Sequence, residues 1–115
     1  MKSLDYSNRG LTFADAYIIA ELMKKNTHTT KLILRQNKFG CHGAEALAGM
    51  LKKNKTLKKL NLEQNEIDYE GAAALRDALI TNKSLEFLNM YMNNISDMKQ
   101  AIKDTTKKRK FSLKS

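Results

Sequence analysis

One arrangement of apolar and polar positions recurs along the chain. In Leu57–Asn65, written LKKLNLEQN, apolar residues hold the first, fourth and sixth places and an asparagine the ninth. Thr29–Asn37 has Leu32, Leu34 and Asn37 at matching places 28 residues earlier, and Leu85–Asn93 has Leu85, Leu88, Met90 and Asn93 28 residues later. A fixed period of this size marks a solenoid, in which each unit buries its apolar face only against its neighbours. Leu60 and Leu62 stand two apart and share one face of a strand, while Lys59, Asn61 and Glu63 share the other. The pattern predicts short strands with one buried and one wet face. Each should end at the asparagine, whose amide offers donors and an acceptor to backbone groups leaving the sheet. Asn37, Asn65 and Asn93 should therefore stack as a ladder.

Between the strands the period changes to that of a helix. Thr12, Gly40, Asp68 and Ser96 each lie three residues past the ladder position and are types favoured at helix N-caps. Thr12 with Asp15 resembles a capping box with Asp in place of Glu. The first helix then carries Ala16, Ile19, Ala20, Leu22 and Met23 as an inward stripe. The second carries Ala44, Leu47, Ala48 and Leu51, and the third Ala72, Leu75, Ala78 and Leu79. Asn26, Asn54 and Asn82 recur where these helices should stop, since an amide side chain tolerates the left-handed conformation there. The first copy puts Leu4 and Tyr6 at the inward strand positions and Arg9 at the ladder position, which marks an irregular terminal unit with a bare strand edge. After Asn93 the copying fades, and Ser96 to Asp104 is expected to form a closing helix through Ile95, Met98 and Ile102.

Gly43 and Gly71 lie six residues past the asparagine, Leu47 and Leu75 ten, and Leu51 and Leu79 fourteen. With these positions the chain, from residue 1 to about 98, resembles the leucine-rich repeat family, and within it the 28-residue, ribonuclease-inhibitor-like type. The lines GAEALAGMLKKNKTL and GAAALRDALITNKSL are similar to repeats of NOD-like receptors and of the Ran GTPase-activating protein and, more distantly, of tropomodulin. The resemblance implies an α/β right-handed solenoid, with about four short parallel strands on the concave face and helices on the convex face. It implies a protein–protein interaction module without a cofactor, and the Ran resemblance adds regulation of a small GTPase as the alternative. Residues 1–104 are expected to hold the repeats and closing helix, and 105–115 a basic, disordered tail.

Composition narrows the setting. The single Cys41 rules out an intramolecular disulfide, and neither an apolar leader nor a run of about 18 apolar residues is seen. A cytoplasmic location is expected, with the nucleus compatible. The formal charge of +9 is uneven: Lys99–Ser115 holds seven basic residues and one acid. Lys107, Lys108, Arg109 and Lys110 are compatible with nuclear import or with binding an acidic membrane or nucleic acid. Asn54-Lys55-Thr56 and Asn82-Lys83-Ser84 match the glycosylation pattern, yet both fall on the repeated helix-ending asparagine and read as structural.

Candidate chemistry is sparse. Cys41 and His42 are neighbours on a helix, which sets their side chains about 100° apart and makes a poor nucleophile and base pair. No metal-ligand spacing or phosphate loop occurs, so no enzyme activity is expected. The outward strand positions are free of the folding constraint and vary between copies. Arg35, Gln36, Glu63, Gln64, Phe87, Asn89, Tyr91 and Met92 are the candidate partner-binding residues, with the aromatics and Arg35 of the types that dominate hot spots. The partner is expected to be another protein, and the bare N-terminal edge suggests self-association or a place in a larger assembly.

Overall fold

Three-residue strands alternate with helices because each 28-residue copy has one period-two segment and one helical segment. The computed structural model describes residues 2–115. Its elements are β1 (Ser3–Asp5), α1 (Phe13–Lys24), β2 (Lys31–Ile33), α2 (Gly40–Leu51), β3 (Lys59–Asn61), α3 (Tyr69–Thr81), β4 (Phe87–Asn89), α4 (Met98–Thr106) and β5 (Ser112–Lys114). The strands form one sheet in chain order, every neighbouring pair parallel. The register puts Leu4, Leu32, Leu60, Leu88 and Leu113 in one column. From Leu32 to Leu88 this column is fully buried with the stripes of α2 and α3, and it forms a single core.

Glycine sets how closely successive helices approach. A Cβ on Gly71 would lie 2.7 Å from Ile67 Cγ2 and 2.9 Å from Ala44 Cβ, so α3 rests on α2 only because that carbon is missing. Gly43 meets Phe39 and Ala16 in the same way. Asp15 takes this place in α1, where its carboxylate accepts a hydrogen bond from the Thr12 amide at 2.9 Å.

Two asparagine ladders hold the coil. At the strand ends, Asn37 Oδ1 accepts from the Arg9 and Leu11 amides at 3.0 and 3.1 Å, and Asn93 Oδ1 from those of Asn65 and Ile67, both at 2.9 Å. At the helix ends, Asn54 Nδ2 donates to the Met23 carbonyl at 2.7 Å while its Oδ1 accepts from the Thr56 and Leu57 amides. Asn82 repeats this with Leu51, Ser84 and Leu85. The backbone at Asn82 is extended (φ −77°, ψ 118°), so the residue is used for its amide and not for a left-handed turn. Asn54 and Asn82 are buried, which closes both as glycosylation acceptors.

The turns after the strands alternate with a period of two units. After β1 and β3 the reversal falls at Gly10 (φ 67°) and Glu66 (φ 60°), and Thr12 and Asp68 cap the helices as expected. After β2 and β4 it moves to Gly40 (φ 62°) and Ser96 (φ 49°). Gly40 is accordingly the first residue of α2 and not its cap, and α4 starts after Asp97 and not at Ser96. The Gly40 amide now donates to the Asn65 backbone carbonyl, and the buried Asn65 Oδ1 has no hydrogen-bond partner among the described residues.

The C-terminal end corrects two expectations. Among the described residues there are five strands where about four were expected, because the segment 105–115, expected as a disordered tail, completes α4 and forms β5. Leu113 continues the leucine column beside Leu88, and Phe111 packs partly against the core. Arg109 is no free tail charge: its Nη1 donates to the Leu79 carbonyl at 2.9 Å, capping α3, and its guanidinium stands 5.7 Å from the Phe111 ring. Burial lowers its pKa from the ordinary arginine value, and it remains a cation.

Candidate functional site

The outward strand positions converge on the sheet face turned away from the helices. Ser3, Lys31, Lys59, Phe87 and Ser112 form one column and Asp5, Ile33, Asn61, Asn89 and Lys114 the next. At β1, β3 and β4 the second column also shapes the chain beyond the strand. Asn61 Oδ1 accepts from the Glu63 amide at 3.0 Å, Asn89 Oδ1 from the Tyr91 amide at 2.9 Å, and Asp5 Oδ1 from the Ser7 amide at 2.9 Å. Each of these side chains pins the residue two places on, and so aims Glu63 and Tyr91 outward. The two Ser7 hydrogen bonds, with its hydroxyl the stronger influence, hold the Asp5 carboxyl below its ordinary pKa.

Glu63 links three units. One carboxylate oxygen lies 3.5 Å from Arg35 Nη2, and the other accepts from Asn89 Nδ2 at 3.2 Å. Gln36 Nε2 donates to Gln64 Oε1 at 3.5 Å along the same edge. The structure therefore brings together Arg35, Gln36, Glu63, Gln64 and Asn89, with Asn89 buried and the others partly or fully exposed. Phe87 is half-buried and, with Lys31, Lys59 and Asn61, lines a hollow of about 220 Å³ on this face. Tyr91 and Met92 remain 44% and 59% exposed. Neither α4 nor β5 folds over them, because β5 extends the sheet sideways and brings Lys114 Nζ within 5.2 Å of the Tyr91 ring. Lys114 escaped the sequence reading; the Phe111–Leu113 alternation is the signal that would have placed it.

A second, larger crevice of about 620 Å³ follows the turns at the strand ends. It is lined by Gln36, Gln64 and Met92 together with Lys38, Glu66 and Asp68. Gln36, Gln64 and Met92 all have left-handed backbones, at φ 59°, 55° and 63°, which turns their side chains toward this rim.

Lys107, Lys108 and Lys110 are exposed at the C-terminal end, Lys110 lying 3.5 Å from Glu86. Cys41 and His42 do not meet. The Cys41 thiol hydrogen-bonds to Asp68 Oδ1, while His42 Nδ1 lies 3.1 Å from Glu45 Oε1. Burial first, then the bond to Asp68, raises the Cys41 pKa above its ordinary value and disfavours the thiolate. Among the described residues, no group of three or more His, Cys, Asp or Glu side chains is placed to hold a metal. No helix among them is long and apolar enough to cross a membrane.

Comparison with known proteins agrees with this architecture. A family model described as Leucine Rich repeat matches residues 53–75. No curated protein matches the chain in sequence. Among solved structures, the chain is similar to one titled Leiomodin-1 Actin-Binding Site 2 (ABS2), with 26% identity and a TM-score of 0.86, over 100% of this chain and 69% of that one. Parallel strands in one leucine column, two asparagine ladders and this likeness lead to one conclusion: the chain is a leucine-rich-repeat solenoid.

Proposed function

We propose that this solenoid is a non-catalytic protein-binding module that takes its partner on the concave sheet face, centred on Arg35, Glu63, Phe87 and Tyr91. The observation that carries the reading is the Arg35–Glu63–Asn89 network beside the exposed Tyr91 and Met92. It sets a fixed pair of charges next to apolar surface, the composition of an interface centre. Actin is the first partner to test, since the similar Leiomodin-1 structure is titled as an actin-binding site. Titrating the chain into monomeric actin should give saturable binding. Phe87→Ala with Tyr91→Ala should weaken it about tenfold to a hundredfold while Tm stays within a few degrees. Unchanged affinity in that variant removes the concave-face reading; no actin binding by the native chain moves the same variant to capture from native extract.

A second reading has its own observation. Lys99 and Lys103 on the exposed side of α4 and Lys107 just past its end recur every four residues, next to Lys108 and Lys110, and form a basic stripe. Such a stripe suits an acidic membrane or nucleic acid, and binding of that kind falls steeply with salt. The actin interaction is expected to vary less, so a salt titration separates the two. No residue pattern supports GTPase regulation, and GTP hydrolysis by a panel of small GTPases is expected to be unchanged by the chain.

A further inference from the structure

We propose that the N-terminal end of the solenoid is the interface of a two-fold homodimer, in which β1 of one copy pairs antiparallel with β1 of a second about Leu4. This goes beyond the concave-face reading and does not depend on it.

The N-terminal end presents what the interior units bury. Leu22 and Ile18 on α1 are 71% and 62% exposed, whereas the residues 28 places on, Met50 and Ala46, are 0% and 9% exposed. Two adjoining grooves of about 290 and 230 Å³ run beneath the β1 edge, lined by Leu4, Tyr6, Leu11, Ile19 and Leu22. The opposite end is finished differently, with Lys99, Gln100, Lys103 and Asp104 exposed on α4. A polar outer face is what a terminal unit needs to stay single in water, and only the C-terminal end has one.

The occupant is not another stacked repeat. Interior helices approach through Gly43 and Gly71, yet α1 has Asp15 at that place, whose carboxylate would be pressed into a preceding helix. Arg9 stands where the ladder needs an asparagine amide to reach back to a preceding unit. These two substitutions oppose head-to-tail stacking, whether of a preceding repeat or of the C-terminal end of a second copy. A two-fold avoids both, because it sets like against like and closes after two copies.

The strand edge fits this symmetry. Tyr6 and Asn8 donate their amides to the Ile33 and Arg35 carbonyls, and the Lys2 carbonyl accepts from Thr30 and Lys31, so the backbone groups of Ser3 and Asp5 face the open edge. With the two-fold at Leu4, Ser3 lies opposite Asp5 of the second copy and Asp5 opposite its Ser3, and each pair exchanges both backbone hydrogen bonds. Charge selects this register. Moving the axis to Asp5 would oppose two carboxylates, whereas here each Asp5 meets a serine. The same axis, perpendicular to the sheet, lays the two α1 helices side by side and covers Ile18, Ile19 and Leu22.

Sedimentation of the full chain across micromolar to millimolar concentration tests this, with the expected result a monomer–dimer equilibrium. Leu22→Glu, at an exposed position, should keep the far-UV circular dichroism and raise the dimer dissociation constant about tenfold or more. Leu4→Cys in a Cys41→Ser background should form an intermolecular disulfide on mild oxidation, and Tyr69→Cys in that background should not. A monomer at every concentration overturns the proposal, as does open-ended growth. A dimer indifferent to Leu22→Glu, or one that Leu4→Cys fails to cross-link, overturns it as well. Phe87→Ala with Tyr91→Ala should leave the dimer intact, so loss of partner binding and loss of self-association are read separately.

Discussion

The two ends of this solenoid solve the same problem differently. At the C-terminus, β4 would be an open edge, but β5 pairs with it, Leu113 extends the leucine column and Arg109 caps the Leu79 carbonyl. Both β1 and β5 are outer strands among the described residues, and the ends differ in their helices: α1 leaves large aliphatics in water, whereas α4 exposes Lys99, Gln100, Lys103 and Asp104. The C-terminal unit is also shorter. Phe87 pairs with Ser112, 25 residues on, where Lys59 pairs with Phe87 at 28. A nine-residue α4 in place of the thirteen of α3 shortens the path back to the sheet. The contrast teaches that a shortened copy can carry a polar outer face where a full-length one carries an apolar face.

Removing the cap should give the largest effect. Deleting residues 107–115 uncovers the β4 edge, the Leu79 carbonyl and the side of Leu88, and should destabilise the chain by on the order of 3 kcal/mol in urea unfolding. An equal midpoint in the truncated chain would break the comparison, since the C-terminal end would then be no better protected than the N-terminal one.

The glycine position gives an intermediate effect. Gly71→Ala forces a carbon against Ile67 and Ala44 and should cost about 1–3 kcal/mol. Asp15→Ala, at the same place in α1, loses only a cap and should cost about 0.5–1 kcal/mol. Thermal unfolding of both measures the difference, and a cost for Asp15→Ala equal to that for Gly71→Ala would show that α1 is packed as tightly as the interior.

The smallest effect is a pH dependence. The folded Asp5 pKa lies below the ordinary 3.8, first through the Ser7 hydroxyl. The stability this provides is present above the unfolded pKa and is lost as pH falls through the folded one. Ser7→Ala should therefore lower Tm slightly at neutral pH and flatten its fall below about pH 4, the two chains converging once Asp5 is protonated, as read by scanning calorimetry. An unaltered acid limb would show that the β1 end contributes nothing through this carboxylate.

The amino-acid sequence by itself determined the period, the leucine column and the strand-end ladder, because those residues meet the same surroundings in every copy and their pattern is repeated evidence for one local structure. It also placed Arg35, Glu63, Phe87 and Tyr91 on one face, since side chains alternate along a strand. What it could not display lies where copies differ or end. The helix-end asparagines looked like turn formers, yet Asn54 and Asn82 act by reaching 31 residues back to the carbonyls of Met23 and Leu51. Arg109 and Lys114 looked like loose charges, and only packing against α3 and Tyr91 gives them positions. The alternating turns, the Glu63 bridge and the fifth strand follow from distances between units, and such distances exist only once the coil has closed on itself.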